Sequence, residues 1–314
     1  SRAGAGTPGR NRPGRSIAMN YRHAFHAGNF ADVHKHIVLT RIIEYLQRKD
    51  RAFRVIDTHA GAGLYDLHAA EASRTGEWVD GVGRLLSVSP PAPIAGLLAP
   101  FLDAVAAANG GAQGPGQVRI YPGSPFVARH LLRKQDRLSA IELHPQEYDR
   151  LKALFEGDIQ VRIIELEGWL ALGAHLPPKE KRGLVLVDPP FELEGEFSRL
   201  VQGLQSAVGR WPGGVYALWY PIKDQNAVDA FRAALKAIRI PKMMDLWLTV
   251  CGQQPEPRLI GSGMVIVNPP YSLEVEMRTL MPWLCSTLQR DERAAWRVEW
   301  IAGEAARSSP HSRR

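Results

Sequence analysis

The chain is poor in cysteine: Cys251 and Cys285 are the only two in 314 residues. A disulfide-stapled secreted fold needs more, so a reducing compartment is expected. Arg2, Arg10, Arg12 and Arg15 have no apolar stretch behind them, so no secretory signal is expected there. No apolar run is long enough to span a bilayer. A cytoplasmic chain with no membrane partner is the expectation. Net charge is scarce too, despite a formal total of +7. Residues 1–18 hold four arginines and no acid, and residues 303–314 hold Arg307, Arg313 and Arg314 against Glu304. One net positive charge is left for residues 19–302. Bulk charge is therefore weak support for a polyanionic partner, and the case has to come from a site.

Organisation comes next. Residues 1–18 are Gly/Pro/Arg/Ser-rich and predict disorder, with Met19 reading as a natural start. Residues 303–314 also predict a disordered tail, which leaves 19–302 as one domain. Short β-branched runs punctuate it: 54–57, 138–142, 161–165, 184–188, 215–219, 244–250 and 263–267. Helical stretches fit between and before them, most clearly Asp32 to Leu46, where Val33, Ile37, Thr40 and Leu46 keep helical spacing. Gln146 to Phe155 and Ala227 to Ile238 are others. Seven strands alternating with helices predict an α/β, Rossmann-like, doubly wound and mainly parallel sheet. Too many residues separate the first two strands for a single crossover. An inserted segment, about 65–118, is expected to be helical from Leu97, Leu98, Phe101, Leu102 and Val105, with a flexible exit at Gly110 to Gly116.

Ligands of such sheets sit beyond the carboxyl ends of the strands. The first strand runs into Asp57-Thr58-His59-Ala60-Gly61-Ala62-Gly63, where Gly61 and Gly63 permit a tight turn and close approach to a ligand. That motif alone also fits a plain strand-to-helix turn. Glu142 ends the second strand, where a carboxylate can accept from two ribose hydroxyls; a helix-capping acid is the plainer reading. Glu167 and Gly168 end the third strand, near where an adenine would lie. A dehydrogenase expects its ribose acid about 20 residues past the glycines. Glu77 and Asp80 fit by count, but neither ends a strand. S-adenosylmethionine is therefore expected in preference to NAD.

Asp188-Pro189-Pro190-Phe191 follows the fourth strand. An aromatic amine is a poor nucleophile because its lone pair is delocalised. A carboxylate (Asp188) and a backbone carbonyl (Pro189) can accept its N–H bonds, and two prolines hold the carbonyls outward. Phe191 can stack on a flipped base. The methyl donor carries its own sulfonium, so transfer is mainly alignment. The plainer reading is a Pro-Pro strand terminator. Asn268-Pro269-Pro270-Tyr271 has the same form. Strand order favours Asp188, because Asn268 ends the seventh strand, toward the sheet's other end. Residues 19–36 hold His23, His26, His34 and His36. Their spacing matches no standard zinc module, and no metal is expected. The plainer reading is a basic, aromatic surface segment with solvated histidines; the functional one is a helix, Ala31 to Leu46, whose N-terminus faces the cofactor and favours its carboxylate.

These residues resemble the bacterial 23S ribosomal RNA (adenine-N6)-methyltransferases of the J type, from Met19 to about Ile301. The marks are Tyr21-Arg22-His23-x-Phe25-His26-Ala27-Gly28-Asn29 with Ala31-Asp32-Val33-x-Lys35-His36, the Asp57 to Gly63 motif, Tyr121-Pro122-Gly123-Ser124-Pro125 and Glu142-Leu143-His144-Pro145. Asp188-Pro189-Pro190, Ala217-Leu218-Trp219-Tyr220-Pro221 and Asn268-Pro269-Pro270 complete them. The resemblance implies a class I methyltransferase fold with a small helical insertion. It implies cofactor contacts at His36, His59, Ser124, Glu142, Glu167-Gly168 and Asp188, with Asp188 catalytic and Tyr21 near the RNA. Arg22 and Lys35 are expected on phosphate. The implied substrate is one adenine in domain V of naked 23S rRNA, with no stable protein partner. Phe191 stands where some members have Tyr, and Glu167 where some have Asp. The competing expectations are a DNA adenine-N6 or cytosine-N4 methyltransferase, and a non-catalytic nucleic-acid-binding protein linked to DNA use.

Overall fold

The computed structural model describes residues 25–111, 117–192 and 194–303. Helix α1 (Phe30–Gln47) precedes strand β1 (Arg54–Asp57) and is followed, past a glycine turn, by β2 (Leu64–Asp66). An excursion of α2 (Ala70–Thr75), a π-type turn (Val79–Gly83), α3 (Arg84–Leu86) and α4 (Ala92–Ala108) returns to β3 (Ile120–Pro122) and α5 (Ser124–Leu131). Then come β4 (Arg137–Glu142), α6 (Pro145–Leu154), β5 (Val161–Glu165), α7 (Gly168–Ala174), β6 (Gly183–Val187) and α8 (Glu196–Arg210). The chain closes with β7 (Val215–Ile222), α9 (Gln225–Ala237), β8 (Met243–Thr249), β9 (Gly261–Val267), α10 (Leu273–Leu288) and β10 (Ala295–Ala302).

The main sheet has eight strands, in the order β10-β8-β9-β7-β6-β1-β4-β5. The five from β7 to β5 are parallel, whereas β9 runs antiparallel to β7 and β8, and β10 antiparallel to β8. Seven strands were expected. The eighth, β10, is an edge strand with only Val298 buried, so it lacks the continuous apolar run of a central strand such as β6, buried throughout. The insertion is not wholly helical either: β2 and β3 pair antiparallel at its two ends. Its expected glycine-rich exit falls partly on 112–116, outside the described residues.

Alternate side chains feed two cores, one on each face of the sheet. Val55, Leu184 and Leu186 pack with α1, α4 and α10, while Ile56, Val185 and Val187 pack with α7, α8 and α9. Helix α1, expected from the spacing of Val33, Ile37, Thr40 and Leu46, is enclosed on all sides: Phe30 to Ile43 are all buried. Its polar residues are buried in pairs. Arg41 meets Glu276 of α10 at 2.9 Å, and His34 Nδ1 lies 3.0 Å from the Ser262 hydroxyl of β9, which also accepts from the Trp219 indole at 3.0 Å. Burial holds His34 near a pKa of 3, so it is neutral in place. Among the described residues no helix is long and apolar enough to cross a membrane.

Candidate active site

A cleft of about 640 Å³ opens at the carboxyl edge of β1, β4 and β6 and the start of α7. His36, His59, Gly61, Ser124, Glu142, Glu167, Gly168 and Asp188 all line it, together with Lys35 and Pro190. Backbone hydrogen bonds explain why such distant segments meet. Ala60 N donates to the Ile141 carbonyl at 2.9 Å, tying the glycine turn to β4. Gly123 N donates to the Gly63 carbonyl at 2.8 Å, which delivers Ser124 as the first residue of α5. Gly63 thus supports the wall from outside the lining. Gly61 has φ +63°, and a Cβ there would fall 2.1 Å from the Tyr65 hydroxyl, so only glycine fits the turn.

Glu142 is pinned by backbone on both oxygens. Oε2 accepts from Gly61 N at 2.8 Å and Oε1 from His144 N at 2.6 Å. Burial raises its pKa and those two N–H groups pull it back. Each oxygen keeps a lone pair for a hydroxyl. Glu167 caps α7 by accepting from Leu170 N at 3.0 Å while still facing the cleft. Gly168 is packed so tightly that a Cβ would lie 2.5 Å from the Thr58 carbonyl and 2.6 Å from the His59 ring. His59 takes its Nδ1 partner from Thr58 at 2.8 Å, and burial depresses its pKa to about 4. His36 Nδ1 lies 2.8 Å from the Tyr121 hydroxyl.

Asp57, Tyr65, Tyr121, Trp169, Glu196 and Arg199 were not singled out individually. Asp57 had a signal, as the acid ending β1. It is buried with Oδ2 unpartnered, and burial pushes its pKa up to about 7, with the nearby Ser124 hydroxyl pulling the other way. Glu77, the dehydrogenase candidate, lies away from the cleft and binds His26 at 3.1 Å and Asn29 at 2.9 Å.

Lys35 overturns its expected role on RNA phosphate. Its side chain is 4% exposed, and its ammonium binds Asp188 directly and Asp32 at 2.9 Å. Burial opposes its charge, but Asp188 and Asp32 outweigh that and hold its pKa above the ordinary lysine value. The helix N-terminus is likewise no anion site. Asn29 Oδ1 accepts from both Ala31 N and Asp32 N at 3.0 Å, and the Asp32 carboxylate accepts from Gly28 N at 3.0 Å. The histidines do not form a solvated surface run: His34 and His36 are buried and point to different partners. His23, Tyr21 and Arg22 lie outside the described residues.

Asp188 faces the cleft beyond β6, which pairs with β1. Pro189 is buried, and its carbonyl accepts from Phe191 N at 3.0 Å, leaving one lone pair. Phe191 does not line the cleft. Its ring packs edge-on against Phe197 (5.0 Å) and Trp219 (5.7 Å), and Lys35 Nζ sits 5.7 Å from the Trp219 ring. Asn268 is separated from this group for a reason other than the expected lateral distance. Strand β9 is only two places from β6, but it is antiparallel, so Asn268 emerges at the opposite edge. There its amide donates to the Pro212 and Gly214 carbonyls at 2.8 Å each.

The donor set fits an adenosyl cofactor: a pinned carboxylate for ribose hydroxyls, a Cβ-free floor at Gly168, and an orphaned acceptor on Asp57 at the end of β1. The parallel half-sheet and this cleft define a class I, S-adenosylmethionine-dependent methyltransferase. The sequence profile described as "Ribosomal RNA large subunit methyltransferase D, RlmJ" matches residues 50–302. The "Ribosomal RNA large subunit methyltransferase J" proteins of Escherichia coli (strain K12) and Haemophilus influenzae (strain Rd) are 40% and 39% identical over 287 residues. Those matches cover 91% of this chain and 100% of each relative. A crystal structure of a Legionella pneumophila protein superposes with a TM-score of 0.78 at 31% identity, covering 88% of this chain and 98% of that one. The chain belongs to the RlmJ family of ribosomal RNA large subunit methyltransferases.

Proposed function

We propose that this chain transfers a methyl group to the N6 amine of a single adenine in domain V of naked 23S rRNA, with Asp188 as the catalytic group. The observation that carries this reading is Asp188 at the cleft wall, held by Lys35 beside the residues that fit the cofactor. The cofactor supplies an activated methyl on a sulfonium. The protein does the aligning. One N–H of the target amine donates to the Asp188 carboxylate and the other to the remaining lone pair of the Pro189 carbonyl, which turns the nitrogen lone pair out of the ring plane. With the cofactor bound, that nitrogen would take its methyl, and Asp188 is the acceptor at hand for the proton the amine must shed. Lys35 fixes that carboxylate from behind. Phe191, set back from the cleft against Phe197 and Trp219, braces the Asp188-Pro189-Pro190 turn that presents these acceptors. Tyr21 and Arg22 contact the RNA.

Single-turnover methylation tests this. Labelled methyl should enter protein-free 23S rRNA as N6-methyladenine at one site, and not assembled large subunits. Incorporation into duplex DNA in place of rRNA would move the assignment to a DNA methyltransferase, and the absence of any transfer would leave a binding protein.

A further inference from the structure

The cleft that takes this RNA is itself acidic. Asp188, Glu142, Glu147, Glu167 and Glu196 line it against Lys35 and Arg199. Lys35 is held by two carboxylates, and Arg199 binds Glu196 at 2.7 Å. Among the described residues of the cleft, no cation is left unpaired to draw a polyanion.

The cations of the described fold gather elsewhere. Segments 47–54, 132–137 and 177–182 lead into β1, β4 and β6. Together they hold ten lysines and arginines against Asp50, Asp136 and Glu180. Seven net positive charges thus sit in three short loops, while residues 19–302 as a whole carry one. The loops form one surface. β1 lies between β4 and β6, and the Arg133 guanidinium donates to the Gln47 and Lys49 carbonyls at 3.1 and 3.0 Å. Arg182 donates to the Arg51 carbonyl at 2.8 Å, and both guanidiniums lie 5.7 Å from the Phe53 ring centroid. On this fixed frame Lys49, Arg51, Lys134, Lys179 and Lys181 are exposed, with no ion pair among the described residues. The neighbouring turn before β5 carries Glu156 and Asp158, but Asp158 is taken by Arg129 at 2.5 Å.

These loops stand at the amino edge of the strands whose carboxyl ends build the cleft. Strands of four to six residues separate the two edges, roughly 13–20 Å at ~3.3 Å per residue. We propose that this edge is a second, sequence-independent docking surface for RNA phosphates, gripping parts of the substrate outside the stretch that enters the cleft. It rests on the RNA reading above. Clustered cations without carboxylate partners suit a phosphate backbone, where binding gains from counterion release. A large folded RNA can span both edges; a short stem–loop seated in the cleft cannot reach around.

The test compares a short stem–loop bearing the target adenine with a transcript of the whole domain, using K49E/K134E/K181E. With the long transcript at physiological salt, KM should rise on the order of tenfold, and the slope of log K against log salt should fall by roughly two to three. The rate at saturating RNA, the stem–loop kinetics and the S-adenosylmethionine affinity should stay within about twofold. Should the glutamate variant melt early, K49Q/K134Q/K181Q reads the same slope with no charge reversal. RNA binding is followed by anisotropy separately from methylation, so a wild-type protein that binds the long transcript without methylating it counts against the enzymatic reading alone. An unchanged slope and KM on the long transcript overturns the proposal. So does a variant that loses binding only to phosphatidylglycerol vesicles, which would make the surface a membrane contact.

Discussion

Replacing Lys35 by methionine isolates the ion pair at the centre of the site. The ammonium sits between Asp32 and Asp188, whose side chains are 3% and 12% exposed. Methionine keeps the length and removes the charge, leaving two nearly buried carboxylates without their shared cation. Breaking a buried pair from one side costs roughly 3–5 kcal/mol, which in a domain of this size lowers Tm by roughly 10 °C. The rate should fall with the stability, because Asp188 is no longer held in place toward the amine. K35M/D32N should regain a sizeable part of the lost stability, because one of the facing carboxylates becomes a neutral amide. Denaturant melts and single-turnover rates measure both effects. A K35M protein with wild-type melting and a wild-type rate would refute this account of the Asp188 pocket.

The two look-alike tetrapeptides should separate cleanly. Asp188→Ala should fold and lose roughly a hundredfold or more in rate. Asn268→Ala should keep its rate but lose about 2–3 kcal/mol, from two hydrogen bonds and a left-handed backbone at φ +52°; thermal melts beside single-turnover assays decide. Gly168→Ala drives a methyl into Thr58 and His59, and calorimetry should show S-adenosylmethionine affinity down about tenfold with about 1–3 kcal/mol of stability lost. Asp57 has a folded pKa raised to about 7. Its stabilising contribution is full below about pH 4 and is lost as pH rises through about 7. The melting advantage of Asp57→Asn over wild type should therefore grow from pH 4.5 to 7.5 in the cofactor-free protein, and a flat difference contradicts the burial of that carboxyl.

The central parallel strands were legible because they are largely buried and read as apolar runs ending in turn residues, and edge strand β5 because Val161, Ile163 and Ile164 still mark it. The cleft was legible for the same reason: Asp57, Glu142, Glu167 and Asp188 stand where those runs stop. What escaped was decided by tertiary contacts. Strand β10 alternates Trp296, Val298 and Trp300 with Arg297 and Glu299, a pattern that period-two counting could have found. β2 and β3, three residues each, leave no periodicity to detect. The direction of β9 was hidden in the length of the 250–260 connection, too short for a parallel crossover, and that direction removes Asn268 from the site. Lys35 was misplaced because exposed and buried lysines look alike in a sequence. Its partner Asp188 lies 153 residues away, and no local rule reports a pair at that distance.

The docking of α1 also has a consequence for the order in which the protein comes into being. The helix is synthesised well before β9 and α10, yet His34 waits for Ser262 and Arg41 for Glu276, partners 228 and 235 residues downstream. Contacts so distant in sequence form late, because loop closure must be paid for before they stabilise anything. Until β9 and α10 emerge, α1 can rest on α4, α5 and β6, but His34 and Arg41 still lack Ser262 and Glu276. The β1-to-β6 framework can collapse early, domain segments folding as they are made. A growing chain could therefore hold the cofactor-facing strands, and bring Lys35 to Asp188, before the far face of α1 is closed. A chain truncated before β9 would leave Arg41 and His34 without those partners on that helix, so it should bind the cofactor better than it methylates.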